Sequence, residues 1–329
     1  MHLPKRIILT LLVLAAGLYL IAGCGPKSEV VTLKLAHGLA ASHPVHQAME
    51  FMAAKALEKS DSTLVIEIYP NEQLGNEKEC LEKLQLGAIA MTKVSSSMLE
   101  SFLEEYKVYA LPYLFNNEDH RWRVLNGDIG KKILAAGESL KLKGLVYYDA
   151  GARSFYTVKK PILHPDDLSG LKIRTQQSPM AMKMVEALGG SPTPISWGEL
   201  YTSLQQGVVD GAENNQPSLF TSNHYEVCKY YSLDEHTSVP DVVVINTAVW
   251  NQLSERHKNA LMAAAEESVA YQRQLWKAFV HESMEKMTAA GLRVFHPDKA
   301  PFETLAKQLW QEFDGTVVGD LAREIQAEQ

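Results

Sequence analysis

The chain has 329 residues, a formal net charge of −7 and a hydrophobic content of 46%. This length suggests two globular domains rather than one, and the acidic balance argues against a nucleic-acid-binding protein, which would carry a basic surface. Cys24, Cys80 and Cys228 show neither metal-ligand nor C-x-x-C spacing, so no zinc or redox centre and no cofactor is expected. Whether Cys80 and Cys228 form a disulfide stays open.

The N-terminus has the layout of a bacterial export signal. Lys5 and Arg6 precede an apolar run over 7–21, which ends in the sequence IAGC at Cys24. This run is shorter than the ~20 residues that a membrane-spanning helix needs, which favours cleavage over an uncleaved anchor. IAGC looks like a lipoprotein processing site, so we expect Cys24 to be lipidated. Either interpretation places the folded part outside the cytoplasm at a membrane face.

The first half of the chain alternates predicted strands and helices. Thr32 to His37 alternates apolar and polar residues like a strand, and Ser42 and Pro44 are typical of a helix start. The βαβα order predicts a parallel sheet. The later elements are a strand over 64–69, a helix over 76–86, a strand over 88–95, a buried connection over 109–115, a helix over 128–138 and a strand over 145–149.

Three histidines, His37, His43 and His46, fall within ten residues around the first strand-to-helix loop. Such a cluster invites a zinc site, yet no cysteine or carboxylate is positioned with these histidines, so we expect no metal here. His46 follows a core position of the helix and is predicted to be a surface or packed side chain.

The stretch 169–215 places one arginine beside predicted helix starts. Residues 171–174 alternate apolar and cationic side chains, which predicts a short strand ending at Arg174. Ser178-Pro179 predicts the start of a helix. The sequence from Ser196 to Glu199 predicts a capping box at a second helix, which begins at Trp197.

A further strand is predicted at Val208 and Val209, followed by a turn that brings 213–215 to a strand end. Open α/β sheets bind ligands at such strand ends. Arg174, at a strand end and close to a helix N-terminus, can hold a carboxylate through two parallel hydrogen bonds, which indicates an organic anion as the ligand. The alternative is that Arg174 pairs with a protein carboxylate such as Asp210. The pattern alone does not decide between them.

Three motifs carry a family resemblance: GLKIRT at 170–175, AGARSFYTVKKPI at 150–162 and GGSPTPISWGELYTSLQQGVVDGAEN at 189–214. They resemble the solute-binding proteins of tripartite ATP-independent periplasmic (TRAP) transporters, the DctP family, and the likeness extends over nearly the whole mature chain. The resemblance implies an α/β, two-lobed clamshell of the periplasmic-binding-protein type, with hinge strands and a long helix across both lobes. Such a protein captures small organic acids and hands them to a membrane permease.

The resemblance also assigns site residues. Arg174 corresponds to the arginine that fixes the ligand carboxylate, and Arg153 to a second arginine after a small-residue turn. Trp197 corresponds to the aromatic residue before the second helix of the motif, and Asn214 to the asparagine of the DG-x-EN sequence.

Other candidates lie at turns and strand ends that line the cleft by the same resemblance. His37 and His43 would contact ligand hydroxyls, and Ser95 would face the ligand or act as a helix cap. Asp149 would either accept hydrogen bonds from sugar hydroxyls or orient Arg153.

Gln176 and Asn215 add amides around the motif, and amides suit hydroxyls. We therefore expect a sugar acid, with hexuronates such as glucuronate or galacturonate first. C4-dicarboxylates and sialic-acid-like ligands are the alternatives. Trp197 would stack on a pyranose ring, or else anchor its helix.

Two chain crossings between the lobes are predicted, near 155–158 and near Pro240, where 242–245 has the composition of a buried parallel strand. Residues 254–290 contain no proline or glycine and predict a helix of about 55 Å, long enough to span both lobes. A terminal helix is predicted over 301–326. The expected division is a signal peptide over 1–23, a tether over 24–30, a first domain of 31–151 plus 241–272, and a second domain of 152–240 plus 273–329.

An exported hydrolase or lyase is the competing class. Such an enzyme would show a G-x-S-x-G motif or a paired-acid cleft, and neither is present. Ser154 and the histidines form a triad only by assumption. We therefore expect a binding protein rather than an enzyme. A sensor subunit that presents ligand to a receptor would have the same pocket and a different partner.

Overall fold

The computed structural model describes residues 30–328. The predicted signal peptide and the predicted lipidation site at Cys24 lie outside the described residues. Between residues 30 and 328, no helix combines the length and the apolar character that crossing a membrane requires.

Two β-sheets form the centres of two lobes. The strands are β1 (Val31–Ala36), β2 (Leu64–Tyr69), β3 (Met91–Ser95), β4 (Leu142–Tyr148), β5 (Arg153–Thr157), β6 (Lys172–Thr175), β7 (Ser191–Pro194), β8 (Gly211–Asn214), β9 (Tyr230–Thr237), β10 (Asp241–Asn246) and β11 (Arg293–Phe295). The sheet of the first lobe has the order β2-β1-β3-β10-β4, and that of the second lobe has the order β11-β9-β5-β8-β6-β7.

Helices cover both sheets. They are α1 (Pro44–Lys59), α2 (Glu77–Gln85), α3 (Ser96–Leu99), α4 (Glu118–Asn126), α5 (Asp128–Ala135), α6 (Pro179–Ala187), α7 (Trp197–Gln205), α8 (Gln216–Thr221), α9 (Thr247–Gln252), α10 (Glu255–Ala289), α11 (Ala300–Gln311) and α12 (Val317–Ala327). Short 3-10 helices lie at Glu104–Ala110, Glu138–Leu140, Pro165–Leu168 and His224–Glu226.

The direction of β10 corrects the sequence prediction. β1 pairs in parallel with β2 and β3, as the βαβα order predicted. β10 runs antiparallel to β3 and β4, so the prediction of a parallel strand over 242–245 is wrong. Val242 and Val244 pack into one cluster while Val243 and Ile245 pack into the other. The apolar run therefore reflects burial on both faces, which does not fix strand direction.

The chain crosses between the sheets three times: from β4 to β5, from β9 to β10 and, through α10, from β10 to β11. The crossing before β10 lies near Pro240 as predicted, whereas the first crossing precedes β5 instead of occupying 155–158, because β5 already belongs to the second sheet. Asp241, the first residue of β10, lies opposite Ser95, the last residue of β3. The returning chain therefore enters the first lobe at the edge where β3 ends, which is why the two strands run in opposite directions.

The long helix α10 spans both lobes, as predicted. It begins after Ser254, whose side chain accepts a hydrogen bond from the backbone N–H of His257, and it runs for 35 residues. It packs against α1 in the first lobe and α8 in the second. Because α10 contacts both lobes, it connects them behind the cleft.

The C-terminal segment differs from the prediction. The single helix expected over 301–326 is divided into α11 and α12, with Gly315 between them at a φ of +75°. Val318 and Leu321 of α12 pack into a cluster of the first lobe, although 273–329 was assigned to the second domain. The rest of the predicted division stays a prediction.

Local signals were only partly correct. Ser178 caps α6 as predicted, since its Oγ accepts from the N–H of Ala181. The expected capping box of α7 does not form, because the Ser196 hydroxyl donates to the Glu199 carboxylate instead of accepting an N–H. The cap of α1 is His43, not Ser42.

Two further local differences concern a strand and the cysteines. Val208 and Val209 lie in the turn before β8 rather than in a strand. Cys80 and Cys228 are both unpaired and buried, in the cores of the first and second lobes respectively.

Gln272 of α10 fastens the long helix to the end of β4. Its amide accepts from the backbone N–H of Asp149 at 2.9 Å and donates to the backbone C=O of Asp149 at 2.8 Å.

Gln272→Ala is expected to lower the free energy of unfolding by about 2–4 kcal/mol, because two buried backbone groups lose their partner. Urea denaturation measures this loss. Gln274→Ala, on the exposed side of the same helix, is the control, and an equal loss there would contradict the assignment.

Candidate functional site

A cleft between the lobes collects polar residues from both sheets. It brings together eight of the predicted residues: His43, Ser95, Arg153, Arg174, Gln176, Trp197, Asn214 and Asn215. His37 and Asp149 do not line this cleft.

Arg174 is buried at the end of β6 without a carboxylate partner among the described residues. Its Nε donates to the backbone carbonyl of Ile195 at 2.8 Å, and its Cζ lies 5.6 Å from the centroid of the Trp197 ring. The buried Nη1 has no hydrogen-bond partner. Asp210, the alternative partner, accepts from the backbone N–H of Lys172 instead. A buried guanidinium with an unpaired N–H is costly unless an anion meets it.

Arg153 is held differently, although it lies in the same cleft. Its Nη2 donates to Glu213 Oε1 at 2.8 Å, its Nε donates to Glu213 Oε2, and its Nη1 donates to Asn214 Oδ1 at 3.0 Å. Burial alone would raise the pKa of Glu213, but the Arg153 guanidinium outweighs burial and holds this pKa well below its usual range. Arg153 is therefore neutralised by the protein, whereas Arg174 is not.

The Arg153–Glu213 pair lies in the sheet of the second lobe and is extended there by His236 and Asp234 of β9. His236 Nδ1 lies 2.7 Å from Asp234 Oδ2, and its Nε2 lies 3.6 Å from Glu213 Oε2. Burial would lower the pKa of His236, but Asp234 and Glu213 raise it to about 9. The buried set thus has two cations and two carboxylates at neutral pH. Sequence analysis missed His236, whose only signal was a polar run inside β9.

His43 connects the lobes across the cleft. Its Nδ1 accepts from the backbone N–H of Val45 at 3.2 Å, so the proton is on Nε2, which donates to Ser218 Oγ at 3.3 Å. Burial, and then the charge of Lys93, lower the pKa of His43 to about 3. It is therefore a neutral donor at physiological pH.

His37 belongs to a separate hydrogen-bonded chain rather than to the cleft. Its Nδ1 accepts from the N–H of Leu39, and its Nε2 lies 3.0 Å from His46 Nδ1. His46 Nε2 in turn lies 3.3 Å from the carboxylate of Glu50. The predicted ligand contact of His37 is therefore not supported by its position. Over residues 30–328, no three metal-ligating side chains converge.

Asp149 fits neither of its predicted roles. Its Oδ1 accepts from Arg121 Nη2 at 2.8 Å and from the backbone N–H of Gly151 at 2.8 Å. Arg121 lies in α4, a helix that the sequence did not reveal. Oδ1 of Asp149 is thus occupied by Arg121 and Gly151, and no hydrogen bond joins Asp149 to Arg153 within residues 30–328.

Two other candidate residues, Asn215 and Ser95, form hydrogen bonds to other groups of the protein. Asn215 caps α8 through its Oδ1 and donates from Nδ2 to the carbonyl of Ala150. Ser95 precedes α3 without a side-chain capping bond, and its backbone N–H donates to Glu77 Oε1. Asn215 therefore serves the fold first, while the Ser95 hydroxyl remains at the cleft wall.

The cleft also contains charged residues that sequence analysis missed. Lys93 in β3 lies 3.2 Å from Glu77 Oε1 and 3.1 Å from Asp241 Oδ1. Gly198, at the start of α7, lies directly against the carboxylate of Glu72 from the other lobe. A side chain at Gly198 would collide with this carboxylate. The sequence signal for Lys93 was its position, as a charged residue, inside the apolar strand sequence MTKVS.

A family model and named relatives match this chain over most of its length. The family model described as DctP, bacterial extracellular solute-binding protein, family 7, matches residues 35–316. A solute-binding protein of Chromohalobacter salexigens is 34% identical over 273 residues, which are 83% of this chain and 81% of the relative. The C4-dicarboxylate-binding periplasmic protein DctP of Rhodobacter capsulatus is 31% identical over 324 residues, covering 98% of this chain and 96% of the relative.

Solved structures agree with the fold. A TRAP periplasmic solute-binding protein from Bradyrhizobium sp., in complex with galacturonate, has a TM-score of 0.87 and 40% identity and covers 90% of this chain and 99% of its own. A TRAP periplasmic solute-binding protein from Chromohalobacter salexigens, with bound D-glucuronate, has a TM-score of 0.88 and 32% identity and covers 90% and 100% respectively.

The charged set around His236 makes stability depend on pH. Because its pKa is raised on folding, His236 stabilises the fold fully below pH 6.5, and this contribution is lost as the pH rises to about 9. The difference in unfolding free energy between wild type and His236→Gln is expected to shrink by about 3 kcal/mol across this window. Denaturant titrations at pH 6, 7.5 and 9 measure it. His281→Gln, at an exposed histidine, should show no such trend; a pH-independent difference for His236→Gln would contradict the assignment.

Proposed function

Since the chain belongs to the DctP family of bacterial extracellular solute-binding proteins (family 7) and is a TRAP solute-binding protein, we propose that it captures a hexuronate, such as glucuronate or galacturonate, and delivers it to a TRAP membrane permease. The observation that carries this proposal is the buried Arg174 guanidinium, which has no carboxylate partner among residues 30–328 and an unpaired Nη1. A ligand carboxylate would supply the missing anion.

The local geometry suits a carboxylate. The carbonyl of Ile195 accepts a hydrogen bond from Nε of Arg174, which orients the guanidinium and its two terminal nitrogens. A planar fork of this kind binds a carboxylate through two parallel hydrogen bonds. The Trp197 ring beside the guanidinium supports it through a cation–π contact. We propose that Trp197 positions Arg174 in addition to any contact with a sugar ring.

The remaining groups of the second lobe suit a polyhydroxy acid. Gln176 and Asn214 bring amides to the cleft, and His43 lines the opposite wall as a neutral imidazole that adds no charge. The TRAP proteins from Bradyrhizobium and Chromohalobacter that resemble this chain were solved with galacturonate and glucuronate, which supports a hexuronate over the two alternatives, a C4-dicarboxylate and a sialic-acid-like ligand.

We propose that the protein is not an enzyme. The members of its family bind substrates for transporters. Ser154, the one serine considered as a nucleophile, is fully buried, and its Oγ accepts from the backbone N–H of Glu235 at 3.0 Å. No histidine among the described residues hydrogen-bonds to it, so it lacks the base that activation requires.

The protein acts outside the cytoplasm, as its periplasmic family does. The finer proposal is that residues 1–23 are removed and that lipid on Cys24 holds the protein at the membrane beside its permease. This rests on the sequence IAGC alone. A lipid anchor would keep the receptor close to its permease, which raises its effective concentration there.

Arg174→Ala is expected to abolish ligand capture without unfolding the protein, because loss of a charge-assisted pair in a closed cleft costs about 2–5 kcal/mol. Arg174→Lys should also bind at least tenfold more weakly, roughly, since an ammonium group cannot reproduce the planar fork. Isothermal titration calorimetry with galacturonate and glucuronate measures both. Lys172→Ala, an exposed position of the same strand, is the control and should bind like wild type. Unchanged affinity in Arg174→Ala would refute the role of Arg174.

The ligand class is tested by thermal shift. Galacturonate and glucuronate should raise the melting temperature of the wild-type protein, because a ligand that binds only the folded state stabilises it. Succinate, malate and sialic acid at the same concentration should produce a smaller shift or none. A larger shift with a dicarboxylate or with sialic acid would select that alternative instead.

A further inference from the structure

Three charged side chains form one wall of the cleft in the first lobe, and we call them the Lys93 cluster: Lys93, Glu77 and Asp241. Lys93 is 1% exposed and Asp241 is 7% exposed. Lys93 Nζ donates to Glu77 Oε1 at 3.2 Å and to Asp241 Oδ1 at 3.1 Å. All three residues also line the cleft that contains Arg174.

The cluster has unused hydrogen-bonding capacity. An ammonium group has three donors, and the carboxylates take two of those of Lys93. Glu77 Oε2 and Asp241 Oδ2 take part in no hydrogen bond within residues 30–328. A purely structural ion pair would need only one carboxylate for one buried lysine. Here two carboxylates hold the lysine, and each keeps one oxygen without a protein donor.

The charges of the two walls are opposite. Burial would lower the pKa of Lys93, but Asp241 and Glu77 raise it, so the lysine stays protonated. Glu72 adds a further carboxylate to this wall and Lys78 a second lysine, so the wall carries three carboxylates against two cations. The facing wall of the second lobe carries Arg174 without a protein carboxylate of its own. The cleft is thus suited to a ligand with one acidic end and one end that is neutral and rich in donors.

We propose that the Lys93 cluster is the subsite that reads the hydroxyl end of the ligand and rejects a second carboxylate. The inference rests on the proposed function, since it takes the first carboxylate to lie at Arg174. A hydroxyl both donates and accepts, so sugar hydroxyls can donate to Glu77 and Asp241 and accept from Lys93. A carboxylate only accepts, so its oxygens would face the oxygens of the cluster, and like charges set together at a binding surface are strongly unfavourable.

The test compares galacturonate with galactarate, a six-carbon sugar acid that carries a second carboxylate. Calorimetry gives the affinity ratio of the two acids for wild type, Asp241→Asn and Glu77→Gln. Each amide keeps the size of the side chain but replaces a negative acceptor by a neutral group. The acids also differ as ring and open chain, so galactonate, an open-chain acid with one carboxylate, is measured beside them and isolates the effect of the second carboxylate.

Wild type should prefer galacturonate, and each substitution should lower this preference roughly tenfold or more by weakening galacturonate and strengthening galactarate. Glu82→Gln, on the exposed side of α2, is the matched control and should keep the wild-type ratio. The melting temperatures of the variants without ligand show whether each one folds. If Asp241→Asn does not fold, Glu77→Gln, whose side chain is more exposed, decides the question.

The outcomes separate this inference from the proposed function. If wild type binds neither acid, the proposed function fails. If wild type binds galacturonate and both variants keep its ratio, or if it prefers galactarate, the role of the Lys93 cluster is overturned while Arg174 and the receptor function stand.

Discussion

The candidate site is built around one buried guanidinium, that of Arg174, which no protein carboxylate among residues 30–328 neutralises. Arg174 is fixed by the carbonyl of Ile195 and the ring of Trp197, yet its charge meets no protein carboxylate among the described residues. Burial lowers the pKa of this arginine, which expresses the cost of keeping its charge away from water. The protein carries this cost in the cleft, and binding of an anion there would relieve it. The same feature explains how an acidic chain can attract an acidic ligand.

The contrast with Arg153 shows that burial alone does not make an arginine a ligand site. Arg153 lies in the same cleft, but its guanidinium donates hydrogen bonds to the Glu213 carboxylate. His236 lies between Glu213 and Asp234. This compensated set stiffens β5, β8 and β9 where they meet the cleft. Arg153 is therefore compensated by the protein, whereas Arg174 has no carboxylate partner among residues 30–328, which is why we propose Arg174 and not Arg153 as the carboxylate site.

The lobes contact one another around this centre. The His43 side chain lies 3.3 Å from Ser218 Oγ across the cleft, and Gly198 lies against the Glu72 carboxylate. On the far side, α10 packs against both lobes and is tied to the end of β4 by Gln272. The lobes are thus joined by contacts across the cleft, by the long helix behind it and by two short strand connections, β4–β5 and β9–β10; short connections of this kind are where hinge closure takes place in other two-lobed proteins.

The sequence by itself determined the elements with strong local signals: the helix after Ser178, the proline-free helix over 254–290, and the strand that ends at Arg174. It also placed this arginine at a strand end, and the motif around it carried the family. Only the tertiary structure decided the strand direction of β10, the position of α12 in the first lobe and the partner of each charge. These depend on contacts between residues distant in sequence: Asp149 with Arg121, Arg153 with Glu213, and Lys93 with Asp241, which are 148 positions apart. Local patterns fix where a side chain leaves the backbone, but charge pairing is settled by which elements the fold brings together.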